Sequence, residues 1–246
     1  MMINKSEFSE KLASALTKNG LGEFAVEAVS DSLYALTERM LTVNEYMNLT
    51  AITDIDEVVL KHYVDSLMIS KYVPNGASVI DVGCGAGFPS LPLAIARPDL
   101  KITSLDSTAK RINYINDTAK MLGITNITAI AARAEEAANE PSYREKFDIS
   151  CARAVARLNV LSELCIPFVK LGGSFVAMKA NAAEELAESE RAFVKLGGEL
   201  VASDKFELVS DVNANVEPRC IISVKKVSQT PKNYPRNNSQ IKKKPL

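Results

Sequence analysis

Up to Pro74, apolar positions recur at three- and four-residue spacing: Leu12, Ala15 and Leu16, then Val26, Val29, Leu33, Leu36 and Met40, then Leu60, Tyr63, Val64 and Leu67. That period places each set on one face of a helix and predicts three helices ending before Pro74. Beyond Pro74 the pattern changes. Short β-rich runs at 77–82, 101–106, 127–132, 147–152 and 173–179 alternate with helical runs at 89–97, 108–122, 158–171 and 182–195. Alternation of this kind predicts the α/β class, with a doubly wound, mostly parallel sheet, helices on both faces and right-handed crossovers. Two further runs, 204–209 and 219–227, flank the stretch DVNANVEPR and predict a terminal antiparallel hairpin. The expected organisation is a helical cap over 1–74, an α/β domain over 75–227 and a tail over 228–246.

Within this scheme the stretch VIDVGCGAGFPS, residues 79–90, falls at the turn from the first strand of the sheet to its first helix. Ligands of doubly wound sheets lie at the carboxyl ends of the strands, and glycines let the backbone approach them closely. Two ligand classes compete for this turn. A dinucleotide site wants G-x-G-x-x-G/A, with a small residue where this chain has Phe88. The pattern here is instead D-x-G-x-G-x-G, from Asp81 through Gly83, Gly85 and Gly87. An acid before the turn repels a phosphate and suits a cation, which favours S-adenosylmethionine, whose sulfonium and amino group are cationic. Asp106, at the end of the second strand, is placed to accept both ribose hydroxyls of an adenosine cofactor. The fold class expected is therefore a class I S-adenosylmethionine-dependent methyltransferase sheet behind a helical cap. The bland alternative is a tight turn in which Asp81 caps the next helix.

Composition narrows the setting. The chain has 246 residues, 47% hydrophobic and 24% charged, enough to bury a sizeable core. No apolar run approaches the roughly 20 residues of a membrane span. The first residues mix lysines and glutamates with no apolar signal core, so a cytoplasmic, membrane-free location is expected. Cys84, Cys151, Cys165 and Cys220 are far apart with no CxxC pair, which predicts reduced thiols and no metal site. Net charge is −1, yet Lys225 and beyond carry seven basic residues and no acid, leaving −8 before them. The tail is thus basic and, being poor in apolar residues, is expected to be flexible: either a solubilising tail or a phosphate-seeking arm.

The chain resembles the ribosomal RNA small subunit methyltransferase G family, also called the glucose-inhibited division protein B family. The likeness runs through NLTAITD (48–54), HYVDSL (62–67), DVGCGAGFPSLPLAIARPD (81–99), LDSTAKRINYI (105–115), RAEE (133–136), SCARAVARLNVLSELCIP (150–167) and AMKA (177–180). It implies N7-methylation of a guanine in 16S ribosomal RNA, with S-adenosylmethionine as methyl donor; free RNA and the 30S subunit stay open as the substrate, and a monomer is expected. The family's cofactor positions correspond to Gly83, Phe88, Ala134, Glu135 and Arg153. For Glu135 the alternative is a solvated helix start.

Acceptor-side groups are expected after the fourth strand, in CARAVARL. No N-P-P-Y-like segment for exocyclic amines occurs there, and Cys151, followed by Ala, reads as a small core residue rather than a nucleophile. Guanine N7 needs neither device, since its lone pair is free, with O6 beside it. Arg153 and Arg157 can offer a donor fork to O6 or a phosphate, and Lys179 can add a charge. For Arg157 the alternative is a pair with an acid of the following helix. The likeness around NLT and HxxDS implies that Asn48, His62 and Asp65 line the acceptor site, whereas a lone histidine is otherwise a solvated or capping residue. Two rivals remain open: a methyltransferase of this class acting on a small molecule or protein, and a non-catalytic factor that binds the cofactor or RNA.

Overall fold

A computed structural model describes residues 4–153, 156–210 and 216–246. Seven strands form one sheet: β1 (Ser78–Val82), β2 (Lys101–Asp106), β3 (Ile127–Ala131), β4 (Phe147–Arg153), β5 (Val169–Lys179), β6 (Gly198–Leu208) and β7 (Glu217–Lys226). Their order is β3-β2-β1-β4-β5-β7-β6, with β7 antiparallel to both neighbours and the other pairs parallel. The order reverses between β1 and β4, and that switch point is where a doubly wound sheet opens a crevice. Strands buried on both faces read as continuous apolar runs; Val79 faces one core and Ile80 and Val82 the other.

Two helices lead the chain, α1 (Lys5–Lys18) and α2 (Glu27–Met47). The Asn4 side chain caps α1 by accepting from the Ser6 and Glu7 amides. The third expected helix is composite. It opens with α3 (Ile55–Glu57), passes through a π-helical stretch at Val58–Val64 and α4 (Asp65–Leu67), and closes as a 3-10 turn at Met68–Tyr72. α2 packs on α5 (Ser90–Ala96) and α6 (Ala109–Leu122). One apolar core therefore runs from Phe8 through Leu36 and Tyr63 to Leu91 and Ile115. The opposite sheet face carries α8 (Leu158–Cys165) and α9 (Ala183–Lys195), and the single turn α7 (Ala134–Ala137) follows β3.

Three expectations need correction. The helix expected over 158–171 ends at Cys165 and passes through a 3-10 turn into β5, because Pro167 lacks the amide that a longer helix would need. The hairpin is longer than expected, since β6 already begins at Gly198; its exposed Glu199, Val201, Ser203 and Asp204 mask the strand period. DVNANVEPR lies partly outside the described residues, and its last three residues begin β7. The tail is not loose. It ends in α10 (Asn238–Lys243), with Ile241 and Thr230 buried, and an ion pair joins Arg236 to Glu163, whose side chain is fully buried. Composition missed this because the anchors are polar groups supplied by the body. No described helix is long and apolar enough to cross a membrane.

Candidate functional site

The glycine turn leaves β1 with Gly83, Gly85 and Gly87 all at positive φ, 76°, 56° and 89°. The Gly83 and Cys84 amides both donate to the Leu105 carbonyl, at 2.7 and 3.0 Å, which ties the turn to the end of β2. At Gly87 a Cβ would meet Leu91 Cδ1 at 2.6 Å, so helix and strand pack onto its bare backbone. Gly85 differs: a Cβ there would meet nothing within 4 Å, which leaves that side of the turn open.

Asp106 stabilises the same loop. One of its oxygens accepts from the Gly85 amide at 3.1 Å, the other from the Thr108 amide at 2.8 Å, and Arg111 stands 3.6 Å away. Gly83, Asp106, Ala134, Glu135 and Arg153 line one cleft of about 410 Å³. Glu135 is buried, beside Arg133 at 3.5 Å, so the solvated reading does not hold for it.

Asp81 and Phe88 stand behind this cleft and line neither of the two cavities around Arg153. Asp81 accepts from the Ser90 amide at 3.3 Å, as the capping alternative expects, while its Oδ1 is buried with no hydrogen-bond partner. Burial pushes its carboxyl up to about 7, against the pull of Ser90 and Arg153. Phe88 is a platform: the His62 ring stacks on it with centroids 4.2 Å apart and planes 6° apart, and the Arg153 guanidinium lies 5.5 Å from its centre.

Across Arg153 lies a second cavity of about 440 Å³, to which His62, Asp65, Lys179, Phe206 and Arg219 contribute. Arg153 Nη1 donates to the Lys61 carbonyl at 2.8 Å and to Asp65 Oδ2 at 3.1 Å. Its Nη2 stands 3.5 Å from His62 Nδ1. The acceptor carbonyl belongs to the π-helical stretch, a local widening found often at functional sites. Asp65 is shared, since its other oxygen accepts from Arg219 Nε at 3.2 Å, and Arg219 in turn reaches Glu217 at 2.9 Å. Burial, with the Arg153 charge added, pulls the His62 imidazole down to about 3, so it is neutral at ordinary pH. Its Nε2 is within 2.9 Å of Thr50 Oγ.

Of the other expected residues, Lys179 reaches the second cavity but is held by Glu185 at 2.8 Å. Arg157 does not reach it. Exposed, it pairs with Glu188 of α9 at 2.6 Å, because the chain turns into α8 at this point and directs it away from β4. Asn48 sits exposed at the left-handed end of α2 and lines neither cavity. Sequence reasoning assigned no role to Thr50, Lys61, Glu217 or Arg219, although Thr50 stands in the NLT stretch and Arg219 is the lone cation in the expected hairpin turn. All four cysteines are free and buried, and Cys151 lies at 0% exposure with its thiol pushed far up by burial. Among the described residues, no three His, Cys, Asp or Glu side chains cluster as metal ligands do.

A family profile described as rRNA small subunit methyltransferase G matches residues 30–211. The chain belongs to this family. A ribosomal RNA small subunit methyltransferase G of Lactobacillus delbrueckii subsp. bulgaricus is 47% identical over 214 residues, 85% of this chain and 88% of its own. One of Lactiplantibacillus plantarum is 45% identical, covering 99% and 98%. Solved structures extend the likeness of fold. The YcgJ protein of Bacillus subtilis superposes with a TM-score of 0.52 at 16% identity, over 68% of this chain and all of its own. The TYW2 protein of M. jannaschii, solved with AdoMet, gives 0.53 at 13%, over 66% and 75%.

For a family of methyltransferases the residues must accommodate S-adenosylmethionine, and one observation shows that they can. Asp106 lines the cleft with Gly83, Ala134 and Glu135, and each of its two oxygens accepts one backbone amide, which leaves each a further lone pair for a hydroxyl of a ribose diol.

Proposed function

We propose that this protein transfers a methyl group from S-adenosylmethionine to N7 of a guanine in 16S ribosomal RNA, as a monomer in the cytoplasm. One observation carries the reading: Arg153 stands in the wall of both cavities, so a cofactor cleft and an acceptor pocket meet across a single guanidinium. Asp106 takes the ribose hydroxyls, Ala134 and Glu135 edge the adenine, and the glycine turn holds the amino-acid end. Bound there, the cofactor supplies an electrophilic methyl group on sulfur.

The acceptor pocket needs donors rather than a base, because a guanine N7 has no proton to lose. Arg153 and Arg219 provide them. Asp65 aligns both guanidinium groups, at 3.1 and 3.2 Å, which leaves Arg153 Nη2 the looser edge to grip O6. His62 is neutral and stacked on Phe88, so it fixes the plane beside the base without competing for it. A-form RNA hides N7 in a deep, narrow groove, so the target guanine lies in a loop or an incompletely folded subunit.

The test is mass spectrometry of small-subunit ribosomal RNA from cells with and without the gene. Loss of one 7-methylguanosine, regained with wild type and not with Arg153→Ala, is the expected result. An unchanged nucleoside profile would sink the ribosomal reading.

A further inference from the structure

The sequence marks residues 228–246 as a loose basic tail, yet the body holds them by three polar anchors. Arg144 donates to the carbonyls of Thr230 and Tyr234, each at 2.8 Å. Arg236 meets Glu163 of α8 through its backbone amide at 2.8 Å, its Nε at 2.9 Å and its Nη2 at 2.6 Å. Lys226, itself buried beside Glu145, reaches Thr230. A carboxylate with 0% exposure that meets one guanidinium through two donors fixes position and angle together.

That fixed segment crosses the rim of the first cleft. Asn139 Nδ2 donates to the Glu135 carbonyl at 2.9 Å and reaches the Pro235 carbonyl at 3.5 Å, so the strap lies against the turn after β3. Three residues beyond Pro235, Asn238 enters the lining of the cleft with Ala134, Glu135 and Leu164. Its side-chain amide has no hydrogen-bond partner among the described residues and offers a donor and an acceptor at once. Those are what the edge of an adenine ring presents in return.

We propose that Asn238 is a cofactor-binding residue that reads the adenine edge, and that Arg236 with Glu163 positions it; the C-terminal segment is a cofactor strap, not an RNA arm. The inference rests on the reading of the first cleft as the S-adenosylmethionine site. Because a good ring contact is a single polar interaction, its loss weakens binding by about tenfold.

The experiment is calorimetric titration of the full-length protein with S-adenosylhomocysteine, paired with steady-state kinetics on small-subunit RNA. Asn238→Ala is expected to raise the Kd about tenfold and the KM for S-adenosylmethionine with it, leaving kcat and the KM for RNA within twofold. Asn238 is only half-buried, so the fold has no need of its side chain. Arg236→Ala should reproduce the loss, and the double variant should add little to either single one, as expected when one residue acts by placing the other. A Kd within twofold of wild type in Asn238→Ala overturns the proposal. So does a rise in the KM for RNA at unchanged Kd, which would return the segment to the role of an RNA arm. If wild type itself fails to bind S-adenosylhomocysteine, the reading of the cleft falls as well, and that result is distinct from a variant that binds as wild type does.

Discussion

The two cavities that meet at Arg153 are built by different means. The first is made of strand ends and loop backbone: a turn with three glycines at positive φ, hydrogen-bonded to the end of β2 and steadied by Asp106. The second is made of side chains held by one another, with Asp65 between Arg153 and Arg219, and Glu217 between Arg219 and Lys61. A backbone site fails when the chain cannot take its path; a charge network fails when any member leaves its partner buried and unpaired.

The sharpest break in that contrast is Arg153→Ala, because Arg153 belongs to both cavities. Methyl transfer is expected to fall by about a thousandfold in kcat/KM, in the range seen when a preorganised donor is lost. Arg153→Lys should recover little of it, since an ammonium cannot reproduce the fork between the Lys61 carbonyl and Asp65. Single-turnover assays would read both, and a residual rate above about a tenth of wild type in Arg153→Ala would end its role.

Next in size is a test of the backbone site. Gly87→Ala places a methyl group 2.6 Å from Leu91 at a φ of 89°, and a cost of about 2–3 kcal/mol is expected from strain and contact together. Gly85→Ala, in open space, should cost about 1 kcal/mol and act mainly on cofactor affinity. Urea unfolding of the two variants checks the order, and equal losses would show that packing at Gly87 is not the constraint.

Two buried groups beside the sites respond oppositely to pH. His62 is held down to about 3 from its ordinary 6.5, so its contribution to stability is full above pH 6.5 and is lost as pH falls toward 3. Asp81 is pushed up to about 7 from 3.8, so its contribution is full below pH 3.8 and is lost as pH rises toward 7. From pH 6.5 to pH 5, wild type should therefore lose about 2 kcal/mol relative to His62→Gln and gain a similar amount relative to Asp81→Asn. Parallel stability curves for wild type and either variant would refute the corresponding shift.

The smallest effect is expected at Arg157. Exposed and paired with Glu188, it should tolerate Arg157→Ala with no measurable loss of stability and less than about a twofold change in rate. A large loss of rate at unchanged cofactor affinity would draw it back into the acceptor pocket.

These contrasts follow how each region is encoded. Ala134 and Glu135 came with the family resemblance, but the glycines and Asp106 could be found from local pattern, because a parallel sheet brings the loops after its strands to one edge whatever the rest of the chain does. The same logic located Arg153 at the end of β4. It could not separate Arg153 from Arg157 four residues on, since the turn into α8 decides which of them faces the cleft. Nor did it place Asp81 behind the site, because its strand face is set by packing against α5.

The sequence by itself determined the sheet, its crossovers and the backbone site, because helical and strand periods and glycine conformations are properties of neighbouring residues. Tertiary structure alone decided the second pocket and the strap. Arg153 and Asp65 are 88 residues apart, Asp65 and Arg219 are 154, and Glu163 and Arg236 are 73. No local period specifies such partners: a charged side chain finds its mate only after the apolar faces beneath it have packed.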